Sequence, residues 1–242
     1  MIRQRIVEPE LLDELGTADP RAVRARRDLV RINTVMGHAI FWQRIARTEF
    51  SPGHSPRVIA DLGTGDGTLI LRIARKWAMR WPNVEVYLVD RRPVVSPRTL
   101  AQYASLGWSP KVIAADVIDW VPAMPSVGFT LCNLFLHHFS DSRLSDLLSG
   151  ISGRTDLFVA CEPRRSFLGL AGSHLLGLLG CGPITRYDAV VSVRAGFKGN
   201  ELAALWPTGQ GWRLREGRAG LFTHAFVARR QAAPIVTCRH DP

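Results

Sequence analysis

Three glycines spaced two residues apart follow a short apolar run and precede an amphipathic stretch. In VIADLGTGDGTLILRIAR, the run 58–62 predicts a strand, and Gly63, Gly65 and Gly67 follow it before a helix predicted over 68–80. Glycine tolerates the positive φ angles of a tight turn and lets a ligand approach the backbone closely. The spacing differs from the G-x-G-x-x-G of dinucleotide-binding turns. We therefore expect a ligand to bind at the first strand-to-helix junction.

Downstream of this junction, strand-like apolar runs alternate with helical patterns, which is typical of a parallel sheet covered on both faces. The predicted strands cover 58–62, 84–89, 112–115, 129–134 and 157–161, with helices over 68–80, 98–106 and 142–151. A C-terminal helix over 200–205 and strands over 212–216 and 221–229 complete the pattern. The predicted fold class is therefore α/β, a doubly wound Rossmann-like sheet.

The chain divides into a cap and a larger domain. Residues 1–55 are predicted to form an N-terminal helical cap, with helices over 8–15 and 20–48 and a break near Gly37. A connector rich in serine, proline and glycine leads into the α/β domain, which covers residues 56–242. Within that domain we expect an apolar lid at about 164–182, C-terminal strands at about 210–230 and a loose tail over 231–242.

Each of the first three predicted strands ends in an aspartate. Asp61 closes the first strand, Asp90 the second and Asp116 the third. The carboxyl ends of parallel strands meet at the ligand-binding edge of the sheet, where an acid after the second strand suits ribose hydroxyls. A carboxylate at the third strand can accept a hydrogen bond from an exocyclic amine, or it can cap the next helix. In a chain of net charge +10, these acids favour a ligand with cationic character.

Together these residues resemble the class I S-adenosylmethionine-dependent methyltransferases over about residues 57–162. The resemblance implies a seven-stranded methyltransferase sheet and S-adenosylmethionine as the cofactor. By position it implies a cofactor site with Asp61, Gly63, Gly65 and Gly67 at the methionine, Asp90 with the adjacent Arg91 at the ribose, Asp116 and Val117 at the adenine, and Asn133 beside the sulfonium. One departure is Gly128, which stands where the family usually has an acid at the start of the fourth strand.

Three flanking segments, 28–37, 161–170 and 188–205, are similar to a bacterial small-molecule subgroup. That subgroup is similar to the methyltransferases that tailor quinones and aromatic polyketides. The resemblance implies methylation of oxygen or carbon on a small hydrophobic acceptor that is phenolic, quinol-like or a polyketide. Candidate acceptor contacts are Arg31, Asn33, Phe135, Arg164 and Arg165. A solvated surface is the alternative for the arginines, and a core helix is the alternative for the apolar lid.

Two adjacent histidines, His137 and His138, are the candidates for removing a proton from the acceptor, because histidine titrates near neutral pH. The alternative is that one or both pack beside the cofactor or cap a helix. No metal site is predicted, since no carboxylate lies at helical spacing from the pair.

The basic charge is concentrated in the last third of the chain. Residues 163–242 hold 11 Lys and Arg against 4 Asp and Glu. Beside an apolar lid, this excess favours an acceptor with an anionic group, or transient contact with a membrane surface or an acidic carrier.

Two other functions are compatible with the sequence. RNA methylation would use the net charge, but no interleaving of basic and aromatic residues supports nucleic acid as a partner. A cofactor-binding protein without catalytic activity is the second alternative. The four cysteines form no C-x-x-C pair and the first residues do not resemble a secretory signal, so the expected compartment is the cytoplasm. The oligomeric state stays open.

Overall fold

The computed structural model describes residues 4–51, 53–209 and 211–231 of the 242-residue chain. Three helices come first: α1 (Leu11–Glu14), α2 (Pro20–Val35) and α3 (His38–Glu49). Asp19 begins α2 by accepting a hydrogen bond from the backbone N–H of Arg21, and Pro20 suits the first helical position. Gly37, at φ 71°, separates α2 from α3 at the predicted break. The tail predicted over 231–242 lies outside the described residues from position 232 onward.

From residue 58 onward, strands and helices alternate, and every predicted strand is present within a few residues of its expected bounds. The elements are β1 (Val58–Leu62), α4 (Thr68–Trp77), β2 (Glu85–Asp90), α5 (Pro97–Ser105), β3 (Ser109–Ala114), α6 (Val117–Trp120), β4 (Phe129–Asn133), α7 (Asp141–Ser152), β5 (Leu157–Pro163), α8 (Phe167–Leu175), α9 (Pro183–Ala195), α10 (Glu201–Leu205), β6 (Trp212–Arg218) and β7 (Thr223–Arg230).

The strands form one seven-stranded sheet in the order β3-β2-β1-β4-β5-β7-β6. Strands β1 to β5 are parallel, and β7 runs antiparallel to β5 and β6. Leu62 at the end of β1 pairs with Val89 of β2 on one side and Cys132 of β4 on the other. The strand order reverses at β1, which is the position where open α/β sheets bind ligands. The predicted doubly wound α/β fold is confirmed.

Helices cover both faces of the sheet. Adjacent residues of β1 face opposite ways, so Ile59 packs with α3, α4 and α5, whereas Ala60 packs with α6, α7 and α10. Large rings fill both layers: Trp42 on the first face and Phe158 on the second are fully buried. This packing fixes the carboxyl ends of β1, β2 and β4 relative to the N-terminal helices.

The apolar segment after β5 is not a core helix. It forms α8 and a 3-10 turn over Leu176–Leu179, and Phe167 and Leu178 are 81% and 83% exposed. The sequence pattern did not predict α9, because its buried face carries Thr185 and Asp188 as well as apolar residues. Within the described ranges, no helix has both the length and the apolar character that crossing a bilayer requires.

A buried aspartate joins the N-terminal cap to the segment after β5. Asp28 of α2 is only 1% exposed, and its Oδ2 accepts hydrogen bonds from the Gly182 backbone N–H at 2.8 Å and the Thr185 hydroxyl at 3.1 Å. Its Oδ1 lies 3.1 Å from the guanidinium of Arg31, which is exposed. The contact therefore ties α2 to the first turn of α9.

We expect Asp28→Ala to lower the free energy of unfolding by about 2 to 3 kcal/mol, because it leaves buried donors of α9 without an acceptor. Urea unfolding followed by circular dichroism measures the change. Arg31→Ala is the matched control and should cost less than about 1 kcal/mol, since it removes only the exposed partner. Equal losses in the two variants would contradict this account of the α2–α9 contact.

Candidate functional site

The glycine turn folds back over the end of β2. The backbone N–H of Gly63 donates to the Val89 carbonyl at 2.8 Å, and Gly63, Gly65 and Gly67 have φ angles of 75°, 58° and 68°. A Cβ at Gly63 would lie 2.3 Å from a ring carbon of Phe135, whereas a Cβ at Gly65 would meet open space. Positive φ therefore requires glycine in all three places, and Gly63 needs it for space as well.

Asp90 supports the glycine turn by a hydrogen bond. Its Oδ2 accepts a hydrogen bond from the Gly65 backbone N–H at 2.9 Å, and its Oδ1 accepts one from the Arg92 N–H at 2.8 Å. Each oxygen keeps a lone pair for a further donor. The Arg91 side chain is exposed and its guanidinium lies 3.7 Å from Asp13.

Asp61 is buried at the end of β1, with 2% of its surface exposed. Its Oδ2 accepts a hydrogen bond from the Thr64 hydroxyl at 2.7 Å. Burial, together with the nearby charges of Asp90 and Asp66, raises the pKa of Asp61 to about 7 in spite of that bond. A cation bound next to Asp61 would favour its ionised form, so this position suits a ligand with positive charge.

A cavity of about 540 Å³ runs from the glycine turn to the N-terminal helices and the segment after β5. Its lining combines three sets of residues. The glycine-turn end presents Asp61, Gly63, Thr64 and Gly65. The loop after β4 presents Asn133, Leu134, His137 and His138. The third set consists of apolar side chains of α2 and of the segment after β5, such as Leu29, Ile32, Val35, Met36, Leu175, Leu176, Leu178 and Leu179. The cavity is therefore polar at the sheet and apolar toward the helices.

His137 lies between two carboxylates and is 3% exposed. Its Nδ1 is 2.8 Å from Glu162 Oε2, and its Nε2 is 3.2 Å from Glu10 Oε1. Burial alone lowers the pKa of His137, but these two hydrogen bonds outweigh it and raise the pKa to about 9. The hydrogen bond from His137, the charges of the two histidines and the bond from Ser192 lower the pKa of Glu10 to about 2 in spite of its burial. At neutral pH, His137 is therefore an imidazolium that cannot accept another proton.

His138 lines the same cavity in a different electrostatic environment. Its ring centroid lies 4.3 Å from that of His137, and its Nδ1 is 3.6 Å from Asp13 Oδ2. Burial and the positive charge of His137 lower the pKa of His138, and the charges of Glu10, Asp13 and Glu162 oppose them. His138 is therefore neutral at pH 7 and able to accept a proton.

Glu162, at the end of β5, organises the loop that carries both histidines. It is fully buried and accepts hydrogen bonds from the backbone N–H groups of Phe135 at 3.0 Å and Leu136 at 2.9 Å. Leu134 in the same loop has φ 53°, a strained conformation for a branched side chain. The sequence interpretation did not identify Glu162 or Glu10, although Glu162 follows the fifth predicted strand just as the three aspartates follow theirs.

Asn133 is hydrogen-bonded to Trp42 of the N-terminal helical cap. The Trp42 indole N–H donates to Asn133 Oδ1 at 3.1 Å, which fixes the amide at the cavity wall. Asn33 of α2 also lines the cavity, and its Oδ1 is buried without a hydrogen-bond partner among the described residues. A buried acceptor of this kind calls for a donor from a bound molecule or water.

The other predicted site residues do not line this cavity, and several have structural contacts instead. Asp116 caps α6 by accepting from the Ile118 N–H at 2.9 Å, and Val117 is buried in the core. Gly67 begins α4, and the Phe135 ring packs under Gly63. Asp116 therefore fits its helix-cap alternative in this structure.

Three arginines predicted as acceptor contacts do not line this cavity, and each has a partner within the protein. Arg165 is 3% exposed, and its guanidinium donates to the Gly196 carbonyl at 2.6 Å and pairs with Glu201. Arg31 pairs with Asp28, and the guanidinium of Arg164 donates to the Leu221 carbonyl at 3.4 Å. Arg165 in particular is committed to the β5–α10 packing, so it is not available to an acceptor.

Donor atoms of Glu10, His137 and His138 lie within 4.8 Å of one another. The sequence near the two histidines did not predict a carboxylate beside them, because Glu10 is 127 positions away from His137. Both ring nitrogens of His137 are engaged by carboxylates, and the Ser192 hydroxyl donates to Glu10. We interpret the group as a closed hydrogen-bond network rather than a metal centre.

No family model and no curated protein sequence matches this chain. Its fold is similar to solved structures. The plantazolicin methyltransferase BpumL, in complex with SAH, has a TM-score of 0.61 at 11% identity, with 91% of this chain and 94% of that one covered. The pyocyanin biosynthetic protein PhzM has a TM-score of 0.58 at 18% identity, with 92% and 62% covered. An O-methyltransferase family protein from Burkholderia thailandensis has a TM-score of 0.56 at 14% identity, with 90% and 62% covered.

The chain thus spans less than two thirds of the length of PhzM and of the Burkholderia protein, and nearly all of BpumL. The seven-stranded sheet and these similarities define a Rossmann-like methyltransferase fold. Because the identities are low, the similarity concerns the fold, and the activity has to be argued from the site.

The stability of the protein should fall as the pH rises from about 6.5 to about 9.5. His137 has a folded pKa of about 9, above its unfolded value of about 6.5, so the folded state holds a proton that the unfolded state loses in this window. We expect a loss of about 1 to 3 kcal/mol, measured by urea unfolding at both ends of the window.

His137→Gln should lower stability at pH 6.5 and remove most of this pH dependence. The control is His54→Gln, which replaces an exposed histidine and should keep the pH dependence of stability unchanged. A pH dependence that is the same in His137→Gln and the unaltered protein would show that the imidazolium between Glu10 and Glu162 is not its source.

Proposed function

We propose that this protein is an S-adenosylmethionine-dependent methyltransferase that acts on a small hydrophobic acceptor. The observation that carries the proposal is one cavity that connects the glycine turn to His138 and continues into an apolar compartment. A donor at the sheet end and an acceptor at the helix end would meet beside His138. The methyltransferase fold and the neighbour solved with SAH, which is the demethylated form of this donor, support the choice of cofactor.

The residues at the sheet end fit this donor. Gly65 has open space where a side chain would be, so the turn leaves room for a ligand against the backbone. Asp61 lines the cavity as a buried acid with a raised pKa, and a cationic group there would favour its ionised form. Asp90 does not itself line the cavity, but it supports Gly65, which does, and it keeps lone pairs for ribose hydroxyls. When bound, S-adenosylmethionine supplies an electrophilic methyl group on a sulfonium sulfur.

In this proposal the protein contributes positioning and one proton transfer. His138 is neutral and accepts the proton of an acceptor hydroxyl as the oxygen takes the methyl group. His137 remains protonated and, with Glu10 and Glu162, holds the loop that presents His138. The α2 helix and the segment after β5 exclude water from the reacting atoms.

The acceptor end favours an apolar molecule with at least one polar group. Leucine, isoleucine, valine and methionine are the commonest residues in its wall, which also includes Arg26, Thr185 and Asp188. The unpaired Oδ1 of Asn33 supplies an acceptor for a hydroxyl on the substrate. Phenols, quinols and aromatic polyketides have this combination, and the small-molecule subgroup suggested by the sequence fits it. We include both O- and C-methylation, since the wall does not distinguish them.

Asp90→Ala should weaken binding of S-adenosylmethionine at least about tenfold, because it removes the ribose acceptor and the support of Gly65. Isothermal titration calorimetry with the purified protein measures the affinity, and Asp119→Ala, an exposed acid on α6, is the control. Unchanged affinity in Asp90→Ala would remove the ribose assignment.

His138→Gln should reduce kcat by about 100- to 10,000-fold while the affinity for the donor changes little, because it removes the general base. The assay uses labelled donor with a panel of phenols, quinols and carboxylic acids, read by mass spectrometry. For the unaltered protein, kcat should fall at acidic pH as His138 becomes protonated, below the usual pKa of histidine.

Two outcomes would contradict the proposal. Donor binding without transfer to any panel member would favour a cofactor-binding protein without catalytic activity. Loss of transfer on treatment with EDTA, and its return with a divalent cation, would contradict the hydrogen-bond network assigned to Glu10, His137 and His138.

A further inference from the structure

The segment after β5 exposes an unusual number of large apolar side chains. Phe167 and Leu168 at the start of α8, and Leu175, Leu178 and Leu179 at its end and in the following turn, are between 51% and 83% exposed. We call these five residues the apolar rim. Five large apolar side chains exposed within 13 residues of the chain indicate a contact with a partner or a membrane.

Three of the five residues of the apolar rim lie at the mouth of the cavity. Leu175, Leu178 and Leu179 are more than half exposed and also line the cavity, so they lie where it opens to the outside. Val35 at the end of α2, 63% exposed, lines the same opening from the cap. A molecule that leaves an apolar phase at this surface would enter the cavity without crossing water.

Arginines flank the apolar rim. The Arg24 guanidinium lies 3.4 Å from the Gly180 carbonyl. The Arg186 guanidinium packs against Gly177 and lies 3.5 Å from the position that a Cβ on this glycine would take. Arg164 donates to the carbonyl of Leu221, which is itself 64% exposed. Within residues 4–51, 53–209 and 211–231, none of these three arginines forms an ion pair with a carboxylate. The ion pairs found there involve other arginines. Their charge is therefore available to an anionic surface.

We propose that the apolar rim and its flanking arginines dock the protein on an anionic lipid bilayer. Apolar side chains would enter the boundary between headgroups and acyl chains while the guanidinium groups contact lipid phosphates. An acidic protein would match the arginines but not the exposed Phe167 and Leu178. A symmetric second copy would match the apolar residues, but it would bring like charges together around them. Delivery of the acceptor from the bilayer rests on the proposed function, whereas docking does not.

Vesicle co-sedimentation tests docking without donor or acceptor. We expect the protein to bind vesicles of phosphatidylcholine with about a third phosphatidylglycerol roughly tenfold more strongly than phosphatidylcholine alone, and high salt to weaken this binding. Phe167→Glu with Leu168→Glu should abolish binding, and Arg24→Gln with Arg186→Gln should reduce it severalfold. Met79→Glu is the matched control, since Met79 is 99% exposed and lies after α4, outside the apolar rim.

Phe167 and Leu168 do not line the cavity, so their double variant should still methylate a water-soluble acceptor at the normal rate while it loses transfer to an acceptor embedded in vesicles. This readout separates docking from the methyl-transfer proposal, which fails only if the soluble acceptor is also not methylated. Four outcomes would each overturn the docking proposal. They are absence of vesicle binding, equal binding to neutral vesicles, retention by an acidic carrier protein in place of vesicles, and a dimer that dissociates in the double variant.

Discussion

A charged histidine between two buried carboxylates joins three distant parts of the chain. Glu10 belongs to the segment before the first helix, His137 to the loop after β4, and Glu162 to the end of β5. Removing His137 would leave two carboxylates without the cation they share, and removing Glu10 or Glu162 would leave one ring nitrogen of His137 without its acceptor. The position of the N-terminal segment over the sheet, and hence the shape of the cavity, depends on this contact.

The fold and the glycine turn could be predicted because their signals are local. The strand Val58–Leu62, the three glycines and Asp90 follow from residue type and spacing within one βα unit, and their geometry agrees with that prediction. The alternation of strands and helices then dictates a parallel sheet, since parallel strands need crossovers. Differences at element ends, such as the start of β3 at Ser109, reflect pairing with β2 rather than local propensity.

The helix-side end of the cavity depends on contacts between residues that are far apart in sequence, which is why the sequence did not reveal its arrangement. Nothing near Glu10 indicates its bond to His137, and nothing near Asp28 indicates Gly182 and Thr185, 154 and 157 positions away. Arg165 was expected to meet the acceptor because it follows the fifth strand, yet burial made a structural partner necessary for its guanidinium. Burial of a charge is a property of the folded chain, and the residue type alone does not decide it.

The two adjacent histidines illustrate how one local pattern gives two opposite electrostatic states. Carboxylates on both sides keep His137 protonated, and its positive charge 4.3 Å away, ring to ring, then favours the neutral form of His138. A base with a lowered pKa is less basic, but a larger share of it is deprotonated at pH 7 and able to accept a proton. Glu10 and Glu162 keep His137 charged, and that charge favours the neutral form of His138, although the charges of the two carboxylates themselves oppose it. In the proposed function, the N-terminal segment would influence the base without touching the reacting atoms.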